Sequence, residues 1–215
     1  MILLLAMNLK EACILDRLFY IFILFTWLYI LHLCKKSRLY FWRFLIGSLG
    51  MFGFIVAFLF PVLTEPLARS VAAIAGIFGN ITGWCQSYFH FGIVFMQMGK
   101  ETLSMMIDME CSGIIEISAF LSLLTFFDVY SKSEKAVIGI LGFLWIEVMN
   151  ALRIILIVSV VHIFGISAFY TAHTFIGRIF FYIMSVLLYF YVFTKPQILR
   201  MKVGNIVYGH NKPNA

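Results

Sequence analysis

A thiol, a guanidinium and an imidazole stand in order on three successive apolar stretches of this chain. Cys111 opens a Cys111-Ser112-Gly113 step at the head of one stretch, Arg153 lies inside the next, and His173 precedes the last. A cysteine attacks as its thiolate, and a helix amino terminus favours that form because its unpaired N–H groups carry partial positive charge. The same groups can polarise a carbonyl under attack. An imidazole can take the thiol proton and return it to a leaving amine. A guanidinium, with five donors and resistance to deprotonation, can stabilise an oxyanion or orient the substrate carbonyl.

Each residue also has a plainer reading. Cysteine is common in apolar packing, and a cysteine at a helix end is more often inert than catalytic. A Cys85–Cys111 disulfide would abolish the nucleophile, although one such bond offers little to a bundle already held by lipid. Cys13 and Cys34 carry no motif and read as packing residues. His32, His90, His162 and His210 lack metal-ligand spacing and no His-Glu-x-x-His signature occurs, so neither a metal nor another cofactor is expected.

Further polar residues within the apolar stretches are expensive in lipid and mark either function or mutual pairing. Glu116 follows Gly113 by one turn and reads as a counter-ion to Arg153 or Arg178. Asn150 and Arg153, three apart, share a helix face, which suggests that Asn150 lines the same cavity and hydrogen-bonds the substrate backbone. Glu147 reads as structural. One geometric tension remains: Arg153 is well below the outer end of its stretch at His162 to Phe164, further than an arginine can snorkel. Either that helix ends earlier, the site is a wet cavity sunk into the bundle, or Arg178, below His173, takes the oxyanion role instead.

What must position these groups is a membrane domain. Of 215 residues 63% are hydrophobic and 12% charged, with a mean hydropathy of +1.00, a balance no soluble domain of this length can bury. No linker divides the chain, and the apolar start at Met1 to Met7 lacks a basic leader, so it is expected to be retained. The sequence predicts an all-α polytopic helical bundle spanning the membrane at about 18–34, 40–61, 113–127, 136–164 and 174–194. Pro61 is expected to end the second span, and 66–84 either spans or lies along the interface. Basic residues favour five spans with the carboxyl terminus inside. The cytoplasmic set is then Lys35, Lys36, Arg38, Arg43, Lys132, Lys135, Lys195, Arg200, Lys202 and Lys212, leaving Lys10, Arg17, Arg69 and Lys100 outside. The pI near 9.2 reflects this sidedness, and nucleic acid is a poor partner because no soluble basic face exists. Between 85 and 110 lies an extracytoplasmic segment whose alternation from Thr102 to Asp108 reads as a β-hairpin delivering Cys111 to the helix mouth.

Cys111-Ser112-Gly113, Asn150-Ala151-Leu152-Arg153 and His173-Thr174-Phe175-Ile176-Gly177, in that order on three successive stretches, resemble the exosortase/archaeosortase family. The likeness covers roughly Pro66 to Thr194, and the chain is similar to the compact members, with fewer spans and no appended soluble domain. The resemblance implies a multi-pass cell-membrane cysteine transpeptidase with its site on the extracytoplasmic side. It would cleave the carboxyl-terminal sorting tail of a secreted protein through a thioester and pass the product to an amine-bearing acceptor. It further implies Cys111 as nucleophile, His173 as acid/base and Arg153 as transition-state stabiliser. Two other readings stand beside it. One is a transport or assembly subunit with Glu147, Arg153 and Arg178 along a path. The other is simple proteolysis, with water in place of the amine.

Overall fold

The computed structural model describes residues 20–98, 101–109 and 111–198. Apolar runs fold as helices because in lipid a helix satisfies its backbone donors and acceptors within one segment. The main helices among the described residues are α1 (20–36), α2 (Tyr40–Phe58), α3 (Phe60–Thr82), α4 (Ile114–Phe126), α5 (Lys132–Phe164) and α6 (Ile166–Ile198). Four of them, α2, α3, α5 and α6, are long and apolar enough to cross a membrane. The fold is thus an all-α membrane bundle carrying one small sheet.

The chain divides into two compact units, Met1–Met51 and Phe52–Ala215. In the first, the chain reverses at Ser37–Leu39, and the Trp27 indole N–H donates to the Ile46 carbonyl at 3.0 Å, tying α1 to α2. Leu18, Arg17, Cys13 and Lys10 lie outside the described residues, as do Lys100, Arg200, Lys202, His210 and Lys212.

Element boundaries in the second unit depart from the sequence expectations for local reasons. Pro61 stands in the first turn of α3, where its missing N–H interrupts nothing, so it opens a helix. The stretch expected at 66–84 belongs to this 23-residue helix, and Arg69 pairs there with Glu65 one turn earlier. Helix α4 has only 13 residues, about 20 Å, short of a hydrocarbon core of about 30 Å. Helix α5 begins at Lys132 because Ser131 and Glu134 form a reciprocal capping box, with the Ser131 N–H donating to the Glu134 carboxylate at 2.7 Å. It runs unbroken to Phe164, and Gly165, at φ +87°, supplies the whole reversal into α6. His173 therefore sits inside α6, in a wider π turn at Ala172–Ile176.

The 85–110 segment forms three antiparallel strands, β1 (Gln86–Tyr88), β2 (Ile93–Met98) and β3 (Glu101–Met106), in the order β1-β2-β3. This is one strand more than a hairpin. Val94, Met96 and Met105 turn one face of the sheet into a buried cluster with Val71, Ala72 and Ala75 of α3 and Ile154, Ile157 and Val158 of α5. Small residues on α3 allow that close approach. A second cluster, around the fully buried Phe120, joins α4 to Ile146 of α5 and Phe181 of α6. The Trp84 ring stacks on His162 at 4.4 Å, which puts the end of α3, the end of α5 and the sheet together. At the opposite end the Tyr130 hydroxyl donates to the Val192 carbonyl at 2.7 Å.

Candidate functional site

Cys111 lies two residues before Gly113, the residue that opens α4 at φ +74° and, having no side chain, leaves the helix without a side-chain cap. The loop ahead of it is fixed from within. The Cys111 N–H faces the Asp108 carboxylate oxygen at 3.3 Å and the Asp108 carbonyl at 3.1 Å, and the Ser112 hydroxyl donates to the Met109 carbonyl at 3.1 Å. Asp108 was not singled out in the sequence. Its place three residues before the cysteine is the signal, since a short carboxylate reaches N–H groups that far along a turn.

From α5, two residues three apart reach the same cysteine. The Asn150 amide nitrogen donates to the Cys111 carbonyl at 2.6 Å, and Arg153 Nη2 lies 3.8 Å from Cys111 Sγ. From α6, His173 Nε2 is 3.3 Å from the same sulfur, and its ring stacks on Phe169 with centroids 5.7 Å apart. Cys111, Asn150 and Arg153 are buried, with the thiol-bearing residue 1% exposed, while His173 is half-buried. Three helices thus bring one sulfur within reach of an imidazole and a guanidinium.

The depth problem posed by Arg153 is resolved by where α4 starts. Helix α5 does continue to Phe164, and Arg153 precedes His162 by nine residues, about 14 Å along the axis. The loop before α4 descends to that level, so the thiol is sunk into the bundle and the arginine need not snorkel. Arg178 lines a cavity of about 260 Å³ with Glu116, Arg153, Ile115, Phe181 and Tyr182. Glu116 lines that cavity with both arginines, and Arg153 also lies 5.9 Å over the Phe181 ring.

The contacts give Asn150 and Glu147 distinct partners. Asn150, expected to meet the substrate backbone, spends its amide nitrogen on the carbonyl of the nucleophile's own residue, and its Oδ1 is buried with no partner among the described residues. Glu147 does not share the cavity of Arg153 and Arg178. It faces α3, with the Ser70 hydroxyl 2.6 Å from Oε2, a pairing 77 positions apart that no local pattern announces. No disulfide joins Cys85 to Cys111.

Residues 1–190 match the family model described as transmembrane exosortase (Exosortase_EpsH), a span holding every residue just placed. The chain belongs to the transmembrane exosortase family. No curated protein and no solved structure matches it. As an exosortase it is a multi-pass membrane protein of a peptidase or transpeptidase kind, whose family acts on secreted proteins bearing a sorting signal. A thiol beside an imidazole nitrogen can pass its proton to that nitrogen when the ring is neutral and protonated at Nδ1. A guanidinium next to the same sulfur stabilises negative charge there or on a carbonyl oxygen that the sulfur attacks.

Proposed function

We propose that this exosortase is a membrane thiol transpeptidase that cleaves the carboxyl-terminal sorting tail of a secreted protein and transfers the remainder to an amine. What supports the reading is the 3.3 Å approach of Cys111 Sγ to His173 Nε2 with Arg153 beside the same sulfur. His173 Nε2 takes the thiol proton as Sγ attacks the scissile carbonyl carbon. The oxyanion that forms is held by Arg153. Collapse expels the amine of the tail, which leaves with the proton from His173, and the acyl group stays on Cys111 as a thioester. An acceptor amine then attacks, His173 removes its proton, and the thiol is released with that proton.

The reaction takes place at the extracytoplasmic face. Residues 83–113, at the sheet end, carry one lysine, Lys100, and no arginine, whereas Lys132 and Lys135 begin α5 and Lys195 lies near the end of α6. Basic residues gather on the cytoplasmic side, so the sheet end faces outward.

The test is Cys111→Ala, which must insert normally and leave the sorting tail uncut. A variant that still processes its substrate ends the enzyme reading. Alkylation of Cys111 by a small thiol electrophile, slowed in His173→Ala, checks the thiol–imidazole pair independently of substrate. Adding a nucleophilic amine and finding the amine adduct separates transfer from hydrolysis.

A further inference from the structure

Among the described residues strand β3 is the last strand of its sheet, so one of its edges carries main-chain groups with no partner strand there. Which groups these are follows from the register. The Ile107 N–H donates to the Gly92 carbonyl, its direct partner in the register that pairs Ile93 with Met106. In an antiparallel pair, directly opposed residues that share such a bond alternate with residues whose N–H and C=O point away from the partner. The bonded pairs are therefore Val94 with Met105 and Met96 with Leu103. Thr102, Ser104 and Met106 turn their main-chain groups outward, and no main-chain bond to these groups occurs outside the sheet among the described residues.

Open edges are ordinarily guarded by lysine, proline or a bulge. Strand β3 has none of these within it, pairs with β2 in unbroken register, and carries a single charge, Glu101, at the end away from Cys111. It also leads directly to the thiol. Ile107 and Met105 pack in the same buried cluster as Cys111, and the next residue, Asp108, holds the Cys111 N–H.

We propose that the open edge of β3 docks the substrate, whose extended main chain beside the scissile bond adds to the sheet as a fourth strand. This rests on the transpeptidase reading and specifies how that enzyme presents its substrate. The occupant is an extended peptide because the sulfur is buried, so a narrow, unfolded main chain is the form that can be fed to it. Strand addition supplies affinity through main-chain hydrogen bonds largely independent of side-chain identity.

Ser104→Pro removes one outward N–H while leaving the bonds to β2 at Leu103 and Met105, and proline is tolerated where the lost N–H faces away from the sheet. The probe is a reporter protein fused to a carboxyl-terminal tail that the parent chain processes, assayed in detergent. We expect KM to rise about tenfold, the worth of roughly one hydrogen bond, with kcat and the alkylation of Cys111 by iodoacetamide unchanged. If Ser104→Pro also loses normal alkylation, Thr102→Pro is read by the same criteria. A KM within about twofold of the parent, in a variant with normal alkylation, overturns the proposal. Failure of the transpeptidase reading looks different: Cys111→Ala would still process the reporter.

Discussion

His173 Nε2 lies 3.3 Å from Cys111 Sγ although 62 positions separate the two residues. The approach depends on α4 starting at mid-depth and on α6 starting early enough to carry His173 down to the same level. The wider turn at Ala172–Ile176 sets the direction in which the imidazole leaves the helix.

Arg153→Lys should abolish most of the activity. Lysine offers a point charge in place of a planar fork, and loss of a well-placed oxyanion donor costs about 10²–10³ in kcat. Arg178→Lys, altering a residue across the 260 Å³ cavity, should have a smaller effect expressed in KM. Single-turnover cleavage of a tail-bearing reporter measures both. An equal kcat loss in the two variants would show that Arg153 has no special place.

Asn150→Ala should loosen the nucleophile's loop. It leaves the buried Cys111 carbonyl without its donor, at a cost of about 1–3 kcal/mol. Gly113→Ala strikes the same joint from the other side. A Cβ there would come within 3.3 Å of Asn150 Nδ2, and the φ of +74° is one that alanine resists, so about 1–3 kcal/mol is again expected. Thermal unfolding in detergent should show both variants less stable, and the double variant less destabilised than the sum.

Cys85 should be alkylated only under alkaline conditions. Burial pushes the Cys85 thiol up, and its Sγ sits 3.8 Å from the Ala75 carbonyl. Its labelling by iodoacetamide should therefore rise only at pH above the ordinary thiol range. The sign for stability is the same. A thiol whose pKa is raised on folding contributes fully below its unfolded pKa, and the contribution fades as pH climbs through the raised value. Mass spectrometry of labelled peptides across pH checks the first, and alkaline unfolding of Cys85→Ala against the parent checks the second.

Glu147→Gln should process substrate at the parental rate. Glutamine keeps an acceptor for the Ser70 hydroxyl and so preserves the link between α3 and α5. Glu147→Leu should unfold at lower temperature, because it leaves Ser70 without that partner. A large loss of activity in a stable Glu147→Gln protein would instead favour a polar path through the bundle.

Several features were legible in sequence because they depend on neighbours along the chain. Hydrophobic length made the helices, and the three motifs identified the family and picked out Cys111, Arg153 and His173. The spacing of Asn150 and Arg153 put both on one helix face, and the structure turns that face toward Cys111. The capping box at Ser131 and Glu134 and the Asp108 turn are equally local.

What the tertiary structure decided was depth and partnership. Pairings between distant residues, such as Ser70 with Glu147 or Trp84 with His162, leave no periodic trace because each depends on how two separate helices pack. Likewise, composition could supply a thiol, an imidazole and a guanidinium, but only packing could bring three helices to one level. The short α4 shows why. Its apolar residues read as a span, yet its 13 residues begin inside the bundle, because the preceding loop descends along α5 until Asn150 and Arg153 meet it.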